Sequence, residues 1–152
     1  MCSSDLLGKS FQTSISAWVT PLALLEDARA EAPQQDPPPL PYLAGGRDWA
    51  LDVALEVELN GETISRGNAR TLYWTLPQQL GHATSNGAPL RTGDLMASGT
   101  ISGAEPGSEG SMIELFHGEG FLEDGDEVVL RGRGANAVEL GEVRGRVLRA
   151  RG

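Results

Sequence analysis

The stretch from Leu51 to Leu59 constrains this chain more than any other. Leu51, Val53, Leu55, Val57 and Leu59 stand on one side of an extended backbone, and Asp52, Ala54, Glu56 and Glu58 on the other. Successive side chains leave a strand on opposite faces, so this period of two marks a half-buried strand. Asn60-Gly61 follows at once. Both central positions of a type I′ turn need φ > 0, which Asn and Gly reach at least cost. The sequence therefore predicts a hairpin whose second strand is Glu62–Arg66. Such a chain must build a sheet and cover one face of it.

Other segments follow the same logic. Pro77 is tolerated only in the first turn of a helix, which makes Thr75 the N-cap and Gln78 the partner of a capping box. Leu76, Leu80, Tyr73 and Trp74 supply the expected buried side, and the helix should stop before Asn86-Gly87. The last third reads as short strands between glycine turns: Asp94–Ser98, Met112–Phe116, Glu127–Arg131 and Val143–Leu148, with a turn at Asp124-Gly125-Asp126. Upstream, residues 29–41 carry Pro37, Pro38, Pro39 and Pro41, which exclude a central strand. This piece is either a disordered linker or an ordered surface connection anchored by Leu40, Tyr42 and Leu43. No fixed repeat or heptad is present. The expected class is α+β, mainly β, a mixed β-sandwich roll with one principal helix.

A length of 152 residues fits one domain with a buried core. Its net charge of -9 argues against duplex nucleic acid, where Lys and Arg supply most of the non-specific affinity. The single cysteine, Cys2, excludes an internal disulfide and points to a reducing, cytoplasmic setting. The longest apolar run, Ile15 to Leu25, is interrupted by Pro21 and is shorter than the ~20 residues of a membrane helix. Its flank also lacks the basic start of a secretion signal.

Spacing alone yields little chemistry. Asp52, Glu56 and Glu58 share a strand face and could ligate a hard cation, or could simply be the polar face of a strand. His82 and His117 lack any HExxH or CxxC context and read as surface or satisfied histidines. The Gly99–Gly103 run, GTISG, offers backbone N–H groups to an anion, although glycine turns between strands are common.

Longer motifs carry a resemblance. GKSF (Gly8–Phe11), SAWVTPLALL (Ser16–Leu25), RTGDLMASGTISG within Asn86–Pro106, GSMIEL (Gly110–Leu115) and LEDGDEVVLRG (Leu122–Gly132) resemble the fumarylacetoacetate hydrolase family. QDPPPLPYL (Gln35–Leu43) and YWTLPQQLGH (Tyr73–His82) narrow the resemblance to its fumarylacetoacetase branch. The resemblance runs from Leu7 through nearly the whole chain. It implies metal-assisted hydrolysis of a carbon–carbon bond in a β-diketo acid, giving fumarate and acetoacetate in tyrosine and phenylalanine breakdown. It also implies a small-molecule substrate, Mg2+ or Ca2+ as Lewis acid, and a homodimer.

By the same resemblance, Glu114 matches the carboxylate that pairs with the family's catalytic histidine, and Thr100 matches a substrate contact. Lys9 and Thr13 match positions associated with the metal; a lysine there acts only through its carbonyl or at one remove, because an ammonium has no lone pair. Thr100 and Glu114 are expected to face one cleft walled by GTISG. Gln12 stands where the family has glycine, and the segment between His117 and Phe121 is shortened.

The family's catalytic histidine and its metal carboxylates have no counterpart here. The chain is thus expected to be a single partial domain, residues 1–152, the C-terminal portion of the catalytic domain, active only with an N-terminal half. A non-catalytic β-rich scaffold or truncated remnant is the alternative.

Overall fold

The computed structural model describes residues 12–45 and 49–149. Strands β1 (Arg29–Glu31) and β2 (Trp49–Leu51) pair antiparallel in a small sheet. Strands β3 (Ala54–Leu59), β4 (Glu62–Asn68), β5 (Glu127–Arg133) and β6 (Glu139–Arg146) form a second sheet in the order β4-β3-β5-β6, each pair antiparallel. Helix α1 (Leu76–Ala83) and the single turn α2 (Met112–Leu115) complete the regular elements that matter here. The α+β, mainly β class holds, with α1 as its principal α-helix.

The β3–β4 hairpin turns where its sequence requires. Asn60 has φ 52 and Gly61 φ 85, as a type I′ turn demands. Asn60 does more than turn the chain. Its side chain donates to Asp126 Oδ1 at 2.8 Å and accepts the Glu127 N–H at 2.9 Å, so the hairpin is stitched to the start of β5. The β3–β4 register shifts between Val57, opposite Ser65, and Glu58, opposite Thr63. Ile64 is the extra residue of that bulge.

The strand expected from Leu51 to Leu59 breaks at Asp52-Val53. Leu51 pairs with Arg29 in the small sheet, whereas Ala54 pairs with Asn68 in the large one. At the junction the Asp52 N–H donates to Ala28 O at 2.7 Å, and the Val53 N–H turns back onto Leu51 O at 3.0 Å. Alternation hides this break, because both sheets ask for the same period.

Two further strands are absent. Residues 94–98 are irregular. Met112–Phe116 is not a strand: Met112–Leu115 forms α2, N-capped by Ser111, whose Oγ accepts the Glu114 N–H at 3.4 Å. The Ser-x-x-Glu spacing there is a helix-start signal, and it overrides the apolar pattern. The last strand begins at Glu139 rather than Val143 and ends at Arg146 rather than Leu148.

Helix α1 carries the expected capping box. Thr75 Oγ1 accepts the Gln78 N–H at 3.3 Å, and Gln78 Oε1 accepts the Thr75 N–H at 3.0 Å. Its buried side differs from expectation. Leu76, Leu80, Tyr73 and Trp74 are exposed, and the buried residue is Gln78, 4% exposed. The reason lies in the proline segment. Gln35 and Gln78 exchange amide hydrogen bonds in both directions, at 2.9 and 2.7 Å, while Gln35 Nε2 also donates to Tyr73 O at 2.7 Å. A buried amide needs such partners, and here they pin residues 29–41 as an ordered connection.

The buried apolar residues are few: Leu25, Ala28, Leu43, Ala50, Val53 and Val129. Val19 and Phe121 are 91% and 82% exposed. Among the described residues the core is smaller than the chain length suggests.

Candidate active site

The edge strand β4 holds the loop that carries the candidate site. The Arg66 N–H donates to Gly107 O at 2.8 Å, and the buried Ser65 hydroxyl donates to Glu109 O at 2.6 Å. Inside the loop, the Gly103 N–H closes onto Ser108 O at 2.9 Å. The unpaired outer edge of a strand is thus used to fix an irregular segment.

Gly110 lets the loop fold back on itself. A Cβ there would lie 2.2 Å from Ile101 O and 2.8 Å from Thr100 Cγ2, so only a residue without a side chain admits GTISG this closely. Gly110 also donates its N–H to Ser102 Oγ at 3.0 Å. Ser102 Oγ in turn donates to Glu114 Oε2 at 2.8 Å, and Ser111 Oγ donates to the same oxygen at 2.7 Å. Thr100 and Glu114 therefore stand at the two ends of one short run of contacts through Gly110 and Ser102, both exposed.

The Ser111 hydroxyl, then the Ser102 hydroxyl, hold the Glu114 carboxyl below the usual carboxylate range, aided by the Ser111 and Gly110 backbone amides. An ionised carboxylate with one oxygen fixed and the other open can accept an N–H and hold a base in one tautomer. Neither described histidine takes that place. His82 Nδ1 lies 3.0 Å from the Tyr42 hydroxyl, and His117 reaches Glu114 only by its N–H to the Glu114 carbonyl, at 3.4 Å.

Of the candidate metal residues, Lys9 lies outside the described residues and Thr13 is exposed. Asp52, Glu56 and Glu58 are not a cation site. Asp52 accepts from Asn68 and Arg70, Glu56 from Arg66, and Glu58 from Arg131, which also bridges to Glu142. That face is a ladder of neutralised charge. Among the described residues no group of three or more His, Cys, Asp or Glu is placed to hold a metal. Mg2+ and Ca2+ need several oxygen ligands, carboxylates among them, and this donor set does not provide them.

Ser102, Ser111 and Gly110 were not singled out from sequence. Ser111 was legible through its Ser-x-x-Glu spacing; the other two act through a fold-back that no local pattern announces.

A cavity of about 510 Å3 lies elsewhere, between the prolines 37–39 and Tyr73, Trp74 and His82.

Residues 2–148 match the family model described as fumarylacetoacetate (FAA) hydrolase C-terminal. The rat fumarylacetoacetase is 46% identical over 165 aligned residues, covering 95% of this chain and 39% of the relative. The Arabidopsis thaliana and human fumarylacetoacetases are 47% and 46% identical, each covering 83% of this chain and 34% of the relative. The chain spans less than two fifths of the length of these relatives. With nearly its whole length matched, the chain belongs to the fumarylacetoacetate hydrolase family, in the portion that forms the C-terminal part of its longer members.

Proposed function

We propose that this chain contributes the C-terminal portion of a fumarylacetoacetase-type hydrolase, cleaving a carbon–carbon bond of a β-diketo acid to give fumarate and acetoacetate. The observation that carries this reading is the Glu114 carboxylate, held through Oε2 by Ser102 and Ser111 on the loop that bears Thr100. Its open oxygen orients a histidine base, and its negative charge steadies the imidazolium formed when that base takes a proton from water. The oxygen of that water bonds to the carbonyl carbon, the carbon–carbon bond breaks, and its electron pair leaves as the acetoacetate enolate, which takes a proton. The Thr100 hydroxyl donates to a substrate oxygen. The base comes from residues other than these 152, on whichever polypeptide carries them.

A bound Mg2+ or Ca2+ would supply Lewis-acid polarisation, with its carboxylate ligands coming from residues other than these 152; the family resemblance associates Thr13 and Lys9 with that metal. No step above rests on it. The same reading includes a place in tyrosine and phenylalanine breakdown, the cytoplasm as compartment, and assembly with an N-terminal half or as a homodimer. No helix among the described residues is long and apolar enough to cross a membrane. A non-catalytic scaffold is the second reading, favoured by the lack of an imidazole against Glu114 among the described residues.

The test is diketone loss followed spectrophotometrically, for the chain alone and mixed with the N-terminal half of a family member. Turnover in the mixture only is expected. Turnover by the chain alone would refute the division of roles, and an inactive mixture would favour the scaffold.

A further inference from the structure

We propose that Ser102 is a positioning residue of the reaction, fixing which oxygen of Glu114 meets the base and tying that carboxylate to the loop that carries Thr100; this rests on the hydrolase reading above. A hydroxyl has one proton to give. Ser102 Oγ already accepts the Gly110 N–H at 3.0 Å, so its proton is directed to Glu114 Oε2 at 2.8 Å. Ser111 behaves likewise: its Oγ accepts the Glu114 N–H and gives its proton to Oε2 at 2.7 Å. Both hydroxyl donors converge on Oε2, and among the described residues no side chain donates to Oε1. An exposed glutamate would otherwise sample several rotamers and present either oxygen.

The two serines are not equivalent. Ser111 also caps α2, so its loss disturbs a helix turn. Ser102 belongs to no regular element, and among the described residues its hydroxyl bonds only Glu114 and Gly110. It stands two residues from Thr100, so the substrate-side hydroxyl and the base-side carboxylate are borne by one loop. A change that moves one end therefore moves the other.

The experiment has two arms. In the isolated chain, the Glu114 carboxyl is titrated by NMR in the wild type, Ser102→Ala, Ser102→Thr and Ser108→Ala, the last a loop serine bonded to Glu105 O instead. Ser102→Ala should move the titration upward toward the ordinary carboxylate value; Ser102→Thr and Ser108→Ala should leave it in place. In the active mixture, Ser102→Ala should lower kcat on the order of 10-fold with KM little changed, and Ser102→Thr should restore it. A Glu114 titration unmoved by Ser102→Ala, or a loss confined to KM, overturns the proposal. An inactive wild-type mixture counts against the hydrolase reading instead, and the titration then still decides whether Ser102 holds Glu114.

Discussion

Replacing Gln78 by alanine should destabilise the chain more than any exposed leucine of α1 would. The Gln78 side chain accepts from Thr75 N and Gln35 Nε2 at 3.0 and 2.9 Å, and donates to Gln35 Oε1 and Leu43 O at 2.7 and 3.4 Å. A protein hydrogen bond contributes about 0.5–1.5 kcal/mol net, and a buried donor left alone costs roughly 1–3 kcal/mol. Gln35 is half-exposed and can turn to water, and the bond to Leu43 is long, so these add little. The bond from the Thr75 N–H, in a residue only 3% exposed, is the one whose loss counts. The sum is about 3 kcal/mol, or ~9 °C in Tm for a chain of this size. Thermal unfolding followed by circular dichroism reads it directly. Gln35→Ala and the double variant complete a cycle, and the double should cost clearly less than the two singles added, because they share two bonds. A Tm loss of Gln78→Ala below ~2 °C, or strict additivity, would refute the view that this amide pair pins the proline segment.

Three further outcomes follow from the geometry. Gly110→Ala places a Cβ 2.2 Å from Ile101 O, so GTISG must move; a loss of ~1–3 kcal/mol is expected, with faster amide hydrogen exchange at residues 99–103. Asn60→Ala keeps a φ of 52 without the side-chain bonds to Asp126 and Glu127, and should cost about 1–2 kcal/mol in urea unfolding. Glu114 is held low by Ser111 and Ser102, Asp126 by Asn60 and Glu142 by Arg144, each below an ordinary value of 4.5, 3.8 and 4.5. A depressed native pKa adds stability above the unfolded value and loses it as pH falls through the native one, so stability should be level above the ordinary carboxylate range and decline below it. A stability that rises on acidification through that window would contradict these assignments.

What the sequence disclosed depended on how local the cause was. The Asn60-Gly61 turn and the Thr75/Gln78 box are set within four residues, and both stand as expected. The break at Asp52-Val53 was hidden because a change of partner strand leaves the alternation intact. Leu76 and Leu80 misled, since apolar side chains mark a face meant for cover without saying what covers it, and Gln78 took the buried place. At the site, motif resemblance brought out Glu114 and Thr100, but the serine that joins them could not be found so. Its role depends on Gly110 folding against Ile101, a contact between residues nine apart.

The central claim is that the Glu114 carboxylate orients the base of a carbon–carbon hydrolase. The most direct measurement is kcat/KM for fumarylacetoacetate in the mixture of this chain with a family N-terminal half, comparing wild type with Glu114→Gln. Glutamine keeps the size and an oxygen able to accept from Ser102 and Ser111, yet removes the charge that steadies an imidazolium. General base catalysis contributes ~10²–10⁴-fold, so a fall of at least ~10²-fold is predicted, with the variant still folded and still associated. Activity within about threefold of wild type would show that the carboxylate held by the two serines is not the group that orients the base.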